Sequence, residues 1–446
     1  MGTKMRLKLA AVALALFGNA YAITLEDAVK TALEKNNALR AKKLEVEEKL
    51  YDVKLAKARL LPKVDLFTRY NKTTEPPYAI MNRMEVKKLS MMPFPNFNDP
   101  GKYQLFKTGF KASLPIWMGG KLRLAVDLSK DEVKAAKEQL KRSKSSVIFD
   151  VVRAYYNVLT ARSFVETAEL AVKDAERHLK DAEVAYGAGI GLKSDVLRAK
   201  VYLEQMEENL IKAKSNYQVA LRALNVAMGL YPGRETEVDG DLTYREFGFN
   251  LDRLVQEALK KRPEVKELQV RLSQSDKMIK MAKADFLPQL GAFGEVFAAD
   301  DSVPWNKENS SWMVGFGASI NIFNGGAKFN RLKKRRIEKL KLQEFVEKVK
   351  KGIAFEVSRA YYNFVAAKKR VELAKSAIDS AQEGLRIVEK RYRNGLATIT
   401  ELLDAQTALN QARSNYVAAL SGYRLSVVEV YHAAGILEEK YSELVE

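Results

Sequence analysis

Proline is missing from two very long stretches of this chain. None of its 11 prolines lies between Pro115 and Pro232, and none follows Pro304. Because proline is the strongest breaker of an α-helix, each stretch is free to form helices of unusual length. The sequence therefore predicts long helices rather than a series of small globular domains.

Apolar residues recur in these stretches at alternating spacings of three and four, with charged residues between them. Two such runs lie in each half of the chain. They are Val165, Ala168, Val172, Ala175, Leu179, Ala182 and Tyr186, then Val196, Ala199, Leu203, Met206, Leu210, Ala213 and Tyr217, then Val371, Ala374, Ile378, Ala381, Leu385, Val388 and Tyr392, and finally Leu402, Ala405, Leu409, Ala412, Tyr416, Ala419 and Tyr423. This spacing is typical of helices packed as coiled coils.

Short turns separate the paired runs. The first turn carries Gly187, Gly189 and Gly191, and the second carries Asn394 and Gly395. Each half is thus predicted to form a helical hairpin, with a longer arm over 121–186 or 327–391 that extends about 100 Å at 1.5 Å per residue. Thr398 and Glu401 have the spacing of a capping box, and Ser194 or Asp195 is expected to cap the matching helix of the first half.

The chain is internally duplicated. Residues 25–62 align without a gap to residues 251–288 with 11 identities in 38 positions, and Arg153 to Asn157 repeat as Arg359 to Asn363. We therefore predict two structural repeats. The first spans 23–230, with a helix, a strand hairpin at 63–117 and a long helical hairpin at 120–228. After a linker at 231–249, the second spans 250–436, with a helix, a strand hairpin at 289–323 and a long helical hairpin at 326–435, followed by a tail at 437–446. Between Pro62 and Gly109 the first repeat has 20 more residues, read as a long loop.

Composition narrows the classes of function. The chain has no cysteine and two histidines, which excludes thiolate metal sites and leaves little for acid–base chemistry. No residue set indicates catalysis, a metal site or a cofactor, so we expect no enzyme. The formal charge is +19, but base-stacking aromatics are not interleaved with the basic runs, and no nucleic-acid partner is predicted. Residues 1–22 have the basic start, short apolar core and Ala20-Tyr21-Ala22 end of a secretory signal peptide.

Four short segments alternate apolar and polar residues with a period of two. They begin near Val64, Phe106, Leu290 and Trp312, and they place Phe110, Leu114, Val314 and Phe316 on the apolar side. Strands of this kind can cross a bilayer with one face toward lipid, or can form a half-buried sheet in a soluble protein. Four strands cannot close a barrel, and an open edge is not tolerated in lipid, so membrane strands require several chains. Two chains give eight strands and a filled interior, whereas three give twelve and begin to leave a lumen.

At this point the sequence resembles the TolC-like outer-membrane channel-tunnel family of bacterial efflux and type I secretion. The resemblance rests on the duplication, on the Leu-Pro entries at Pro62 and Pro288, on the Gly-Gly exits at Gly120 and Gly326, and most specifically on residues 392–406. It implies an α+β membrane protein: a homotrimer whose four transmembrane β-strands per chain form a 12-stranded β-barrel in the outer membrane, with long antiparallel coiled-coil helices forming a periplasmic α-barrel.

The resemblance also assigns roles at the helical tip. Glu401 and Asp404 are three residues apart beside the packing seam, and in a trimer they would form a ring of carboxylates of the kind that selects cations. The alternative is ordinary acids that complement the helix dipole. Asp195 and Tyr392 match residues that hold the closed tip shut. Ala397 stands where efflux members can carry arginine, so the lock is either weaker here or uses Lys193, Arg198 or Arg393.

The implied partners are a periplasmic adaptor, an inner-membrane transporter and outer-membrane lipid. The adaptor would dock on the tip turns, which comprise Gly187, Gly189, Gly191, Asn394, Gly395 and Leu396. The expected function is a passive exit duct with a tip gate, located in the outer membrane and extending into the periplasm. Drug efflux, metal efflux and type I secretion all remain open, as does an alternative function as a pore-less periplasmic or cell-surface coiled-coil scaffold.

Overall fold

A computed structural model describes residues 22–88, 98–303 and 306–444. The predicted signal peptide therefore lies outside the described residues, apart from Ala22. The first half of the chain forms α1 (Leu25–Lys35), α2 (Asn37–Ala58), β1 (Lys63–Thr73), α3 (Pro76–Glu85), β2 (Tyr103–Trp117), α4 (Lys121–Gly187) and α5 (Lys193–Ala227). The second half forms α6 (Leu251–Lys261), α7 (Pro263–Ala284), β3 (Gln289–Asp300), β4 (Ser310–Ser319), α8 (Ala327–Arg393), α9 (Ile399–Ala433) and α10 (Leu437–Lys440), with 3-10 turns at Lys307–Asn309 and Tyr441–Leu444.

The two long hairpins predicted from the heptad pattern are present. Helices α4 and α8 each have 67 residues, and α5 and α9 each have 35. In the second hairpin, the predicted seam residues form one apolar cluster around Leu385, Leu402 and Leu409, with Ile378, Ala381, Val388, Tyr392 and Ala405 packed against it. No helix in the described part of the chain is both long enough and apolar enough to cross a membrane.

Three local predictions were wrong. The long loop of the first repeat contains α3, which begins at Pro76 because proline is tolerated in the first turn of a helix, where its missing N–H has no partner to lose. The helix predicted before each strand hairpin is two helices. In the first repeat the break is at Asn36, whose side chain accepts the Ala38 and Leu39 amides at 3.0 and 3.2 Å and so starts α2. The second strand hairpin was predicted to extend to residue 323, but strand β4 ends at Ser319, before Ile320 and Ile322.

The described residues fall into two compact units, and each unit draws on both repeats. The first comprises 22–45, 137–268 and 346–444, and the second comprises 46–136 and 269–345. The main core of the first unit packs Ile148, Val152, Leu224, Tyr423 and Val427, all almost fully buried. The helical tip lies in this unit.

The second unit contains a four-stranded antiparallel sheet in the order β1-β2-β3-β4. Its register places Leu66, Phe110, Val296 and Trp312 opposite one another in one row across the sheet. Residues paired in an antiparallel sheet point to the same side, so the four alternating patterns seen in the sequence share a single face.

Candidate functional site

The turn between α8 and α9 is held by its own backbone. Gly395 has φ +69°, a conformation that glycine adopts without steric cost, and its amide donates to the Tyr392 carbonyl at 3.0 Å. The Leu396 amide donates to the Arg391 carbonyl at 2.8 Å. These two bonds form a Schellman motif, which ends α8 and fixes the direction in which the chain leaves it.

The predicted capping box at the start of α9 is confirmed. The Thr398 hydroxyl accepts the Glu401 amide at 3.2 Å, and the Glu401 carboxylate accepts the Thr398 amide at 2.7 Å. The Glu401 carboxylate accepts hydrogen bonds from the Thr398 amide and, at 3.1 Å, from the Thr398 hydroxyl, and these two bonds lower the pKa of Glu401. The Glu401 carboxylate is therefore ionised and oriented by its own helix.

The first-half tip turn ends its helix with the same motif, in which the Gly189 amide donates to the Tyr186 carbonyl at 3.0 Å and the Ile190 amide to the Ala185 carbonyl at 3.1 Å, but it starts the next helix differently. Gly189, at φ +77°, ends α4, and a side chain on Gly191 would lie 2.9 Å from the Tyr186 backbone nitrogen, so the chain approaches itself too closely there for another residue. The predicted cap at Ser194 or Asp195 was wrong. The residue before α5 is Leu192, which has no side-chain acceptor, and Asp195 lies inside the first helical turn.

Asp404 is placed differently from Glu401. Its side chain is exposed, one turn further along α9, and it borders an open cavity of about 500 Å³ lined by Leu197, Val201, Tyr202 and Leu403. The Glu401 carboxylate is already hydrogen-bonded to Thr398, whereas no such bond holds the Asp404 carboxylate among the residues that the structure describes, so the two predicted ring members differ in their freedom to bind an ion.

Tyr392 lies near the second predicted lock residue. Its ring is half-buried against the apolar cluster of the second hairpin. Burial raises the pKa of the Tyr392 hydroxyl, and the carboxylates of Asp195 and Asp181 raise it further. The charge of the Asp195 carboxylate thus acts on the Tyr392 hydroxyl, although no hydrogen bond joins them in the part of the chain that is described.

Polar contacts that the sequence did not reveal join the two hairpins near the tip. Arg198 donates to the Thr400 hydroxyl at 2.9 Å, and Arg177 pairs with Glu389 at 3.1 Å. Arg198 was one of the candidates to replace an arginine at position 397. Only the pairing of helices reveals such contacts, because the partners are about 200 residues apart in sequence.

A buried polar network lies further from the turns. His178 Nε2 lies 3.0 Å from Gln406 Oε1, and the Gln406 amide nitrogen donates to Asp174 at 3.2 Å, which also pairs with Arg413 at 3.2 Å. His178 therefore contributes to packing between the hairpins. Over 22–88, 98–303 and 306–444, no group of three or more His, Asp or Glu side chains is placed to hold a metal ion.

The exposed apolar face of the sheet is the other predicted functional surface. Of the residues predicted to face lipid, Phe110, Val314 and Phe316 are exposed, and Phe316 is 80% exposed. Leu114 is half-buried. The opposite face carries Lys107 and Glu295, whose charged groups are 3.5 Å apart. One chain alone thus presents an open sheet with one apolar face and one face that mixes charged groups with apolar side chains such as Phe293 and Met313.

Comparison with known proteins gives a consistent family. The family model described as outer membrane efflux protein matches residues 28–230 and 254–436. The outer membrane protein TolC of Escherichia coli K12 is 24% identical over 269 residues, covering 57% of this chain and 54% of that protein. The alkaline protease secretion protein AprF of Pseudomonas aeruginosa is also 24% identical, covering 58% and 54%. The chain thus spans about half the length of these relatives.

The fold has solved counterparts. The crystal structure of the Campylobacter jejuni CmeC outer membrane channel superposes with a TM-score of 0.75 at 20% sequence identity, covering 95% of this chain and 89% of that one. This similarity extends over both halves of the molecule and supports the α+β fold predicted from the sequence.

Proposed function

Since this chain belongs to the outer membrane efflux protein family, we propose that three copies of it form a passive exit duct through the outer membrane. Energy would come from an inner-membrane transporter, and a periplasmic adaptor would connect the two. The predicted outer-membrane location agrees with the family, whose description names transport and no catalytic activity.

The observation that carries the proposal is the open sheet with one exposed apolar face. An exposed apolar face is unfavourable in water, because removing each of its CH₂ groups from water would gain about 0.8 kcal/mol. In lipid the same face is favourable, but the free edges of β1 and β4 would leave amides unpaired at several kcal/mol each. Pairing β4 of one chain with β1 of the next removes the edges, and three chains give a ring of twelve strands with a lumen.

The charges on the other face suit the inside of such a ring. Lys107 and Glu295 lie on the side opposite Phe110 and Val314. Barrel strands in membranes alternate apolar residues toward lipid with polar residues toward the lumen. The cargo would be set by the partners, and among the relatives are proteins named for efflux and for secretion.

We assign the gate to the helical tip. Glu401 and Asp404 of three chains would place six carboxylates around one opening, which favours cations and binds divalent ions. Asp195 and Tyr392 would hold the tip closed together with the contact from Arg198 to Thr400, which supplies an arginine that position 397 lacks.

The adaptor would bind the tip turns. Both turns expose aliphatic side chains beside their glycines: Ile190 is 85% exposed, and Leu192 and Leu396 are also largely exposed. These side chains lie on two tight turns and offer apolar contacts to a helical partner. The same turns contain Gly187, Gly189, Gly191, Asn394 and Gly395.

Single-channel conductance in a planar bilayer tests the duct and its gate. We expect the detergent-purified mature protein to give small, cation-selective steps that divalent cations block. Glu401→Ala with Asp404→Ala is expected to weaken that block by at least tenfold. A control replaces Glu204 and Glu207, two exposed acids with the same three-residue spacing on α5, and should leave the block unchanged. Equal block in both double variants would reject the ring, and a chain that stays monomeric and folded without detergent would favour the scaffold.

A further inference from the structure

Helix α3 lies on the face of the sheet that contains Lys107 and Glu295. Its Asn82 side chain is buried and donates to Asn71 Oδ1 on β1 at 3.2 Å. Its Glu85 carboxylate accepts a hydrogen bond from Lys107 Nζ on β2 at 3.3 Å. The sheet register places Asn71 and Lys107 on the same side of the sheet. The helix is therefore packed on the face that the proposed barrel would turn toward its lumen.

The residues that follow α3 extend this contact to β3. Val86 is 2% exposed and packs against Leu105 of β2 and Ala299 of β3. Lys88 pairs with Asp301, just after the end of β3, at 2.8 Å. These contacts lie near the strand ends that are remote from α2 and α4. Because α2 and α4 would continue into the periplasm, α3 would lie at the outward mouth of the channel.

The other side of α3 is apolar and exposed. Tyr78, Met81 and Met84 are each 54–56% exposed in one chain. At 3.6 residues per turn they lie within an arc of about 120°, facing away from the buried Ala79 and Asn82. Three large apolar side chains on one side of a helix are unfavourable in a water-filled lumen and favour contact with another apolar surface.

The size of a twelve-stranded ring indicates what covers this side of α3. Strands about 4.8 Å apart and tilted by about 40° give a ring roughly 24 Å across between its backbones. A helix with its side chains is about 10–12 Å across, so three helices side by side at one level need a circle roughly 22–26 Å across. Three copies of α3 on the inner wall of such a ring would therefore fill the mouth and contact one another.

We propose that the three α3 helices meet at the channel axis through Tyr78, Met81 and Met84 and form an apolar constriction at the outward mouth. This inference rests on the proposed trimeric duct. The partner of the apolar side of each α3 is thus the same side of the other two copies. Apolar constrictions impede ions because water leaves them readily. The constriction would be separate from the proposed gate of carboxylates at the helical tip.

Disulfide formation between copies of α3 tests this contact. The chain has no cysteine, so one introduced cysteine occurs three times in a trimer and nowhere else. Met81→Cys and Met84→Cys are each oxidised as dilute trimers of the mature protein in detergent, and linked pairs are measured on non-reducing gels. A disulfide requires Cα atoms about 4.4–6.8 Å apart. We expect at least one of the two variants to give at least tenfold more linked pairs than a control.

Tyr70→Cys provides the matched control. Tyr70 is 52% exposed in one chain and neighbours Asn71 on β1, but it points to the opposite face of the sheet. In the proposed ring its three copies face lipid, on the outside, and cannot approach one another. Trimers in which neither methionine variant gives more linked pairs than Tyr70→Cys would overturn the constriction and leave the duct standing. A wild-type chain that forms no trimer would reject the duct, and the constriction with it.

Discussion

Placing arginine at Val314 is expected to prevent the proposed channel from assembling. Val314 lies in the middle of β4, on the apolar face, in one row with Ala112 and Gly294. A lipid-facing arginine near the bilayer midplane costs roughly 2–4 kcal/mol. A trimer contains three copies of the substituted residue. Val314→Arg would therefore cost the trimer roughly 6–12 kcal/mol if each arginine has the full midplane cost. That is comparable with the whole stability of a typical folded domain.

Met313→Arg provides the matched control. Met313 is the neighbouring residue of the same strand, points to the opposite face and pairs with Glu295 across the sheet. Its exposed fraction in one chain, 53%, is close to the 65% of Val314. If the sheet were in water, both substitutions would fall within about 0.5 kcal/mol of the wild type. Only a membrane on one side makes the two residues differ.

The assay is the amount of heat-resistant trimer in outer-membrane fractions, read from gels run with and without boiling. We expect Met313→Arg to retain trimer near the wild-type amount and Val314→Arg to lose nearly all of it. Similar trimer yields from both variants would refute the assignment of the apolar face to lipid, and a larger loss from Met313→Arg would reverse it.

Two further predictions concern the helical unit. Thr398→Ala removes the cap of α9 at a cost of about 1 kcal/mol, so hydrogen exchange at the Glu401 amide should accelerate about fivefold, with rates in the core of α9 unchanged. Burial opposes ionisation of Glu264, but the hydrogen bond from Arg262 at 3.0 Å outweighs it and lowers the pKa of Glu264. Its contribution to stability is thus complete above about pH 4.5 and is lost as the pH falls through the lower folded pKa, so Glu264→Gln should flatten the acid side of a plot of unfolding temperature against pH. An unchanged slope would contradict that account.

Regular spacings were interpreted correctly from the sequence, whereas several helix boundaries and the side-chain contacts between distant segments were not. The seam around Leu385 and Leu402 and the capping box of Thr398 follow from spacings of three and four residues, which the sequence displays directly. The prediction for the cap of α5 was wrong because the helix begins at Lys193, before Ser194 and Asp195, so neither polar residue occupies the cap position. The contact between Arg198 and Thr400 depends on how helices far apart in sequence meet, and no local spacing encodes that.

Near the tip, the contacts within the second hairpin are apolar, whereas the hydrogen bonds and ion pairs between the two hairpins are polar. This difference indicates how a gate there would move. The second hairpin has its own apolar cluster around Leu385, Leu402 and Leu409, so α8 and α9 would move as one body. Its described bonds to the first hairpin near the turns are polar: Arg198 to Thr400 and Arg177 to Glu389. Water can replace such bonds at about 1 kcal/mol each, whereas opening the apolar cluster exposes several leucine-sized side chains at about 1.5–3 kcal/mol each. The least costly opening of the proposed gate therefore moves the tip of the second hairpin away from the first and leaves the apolar cluster of the second hairpin intact.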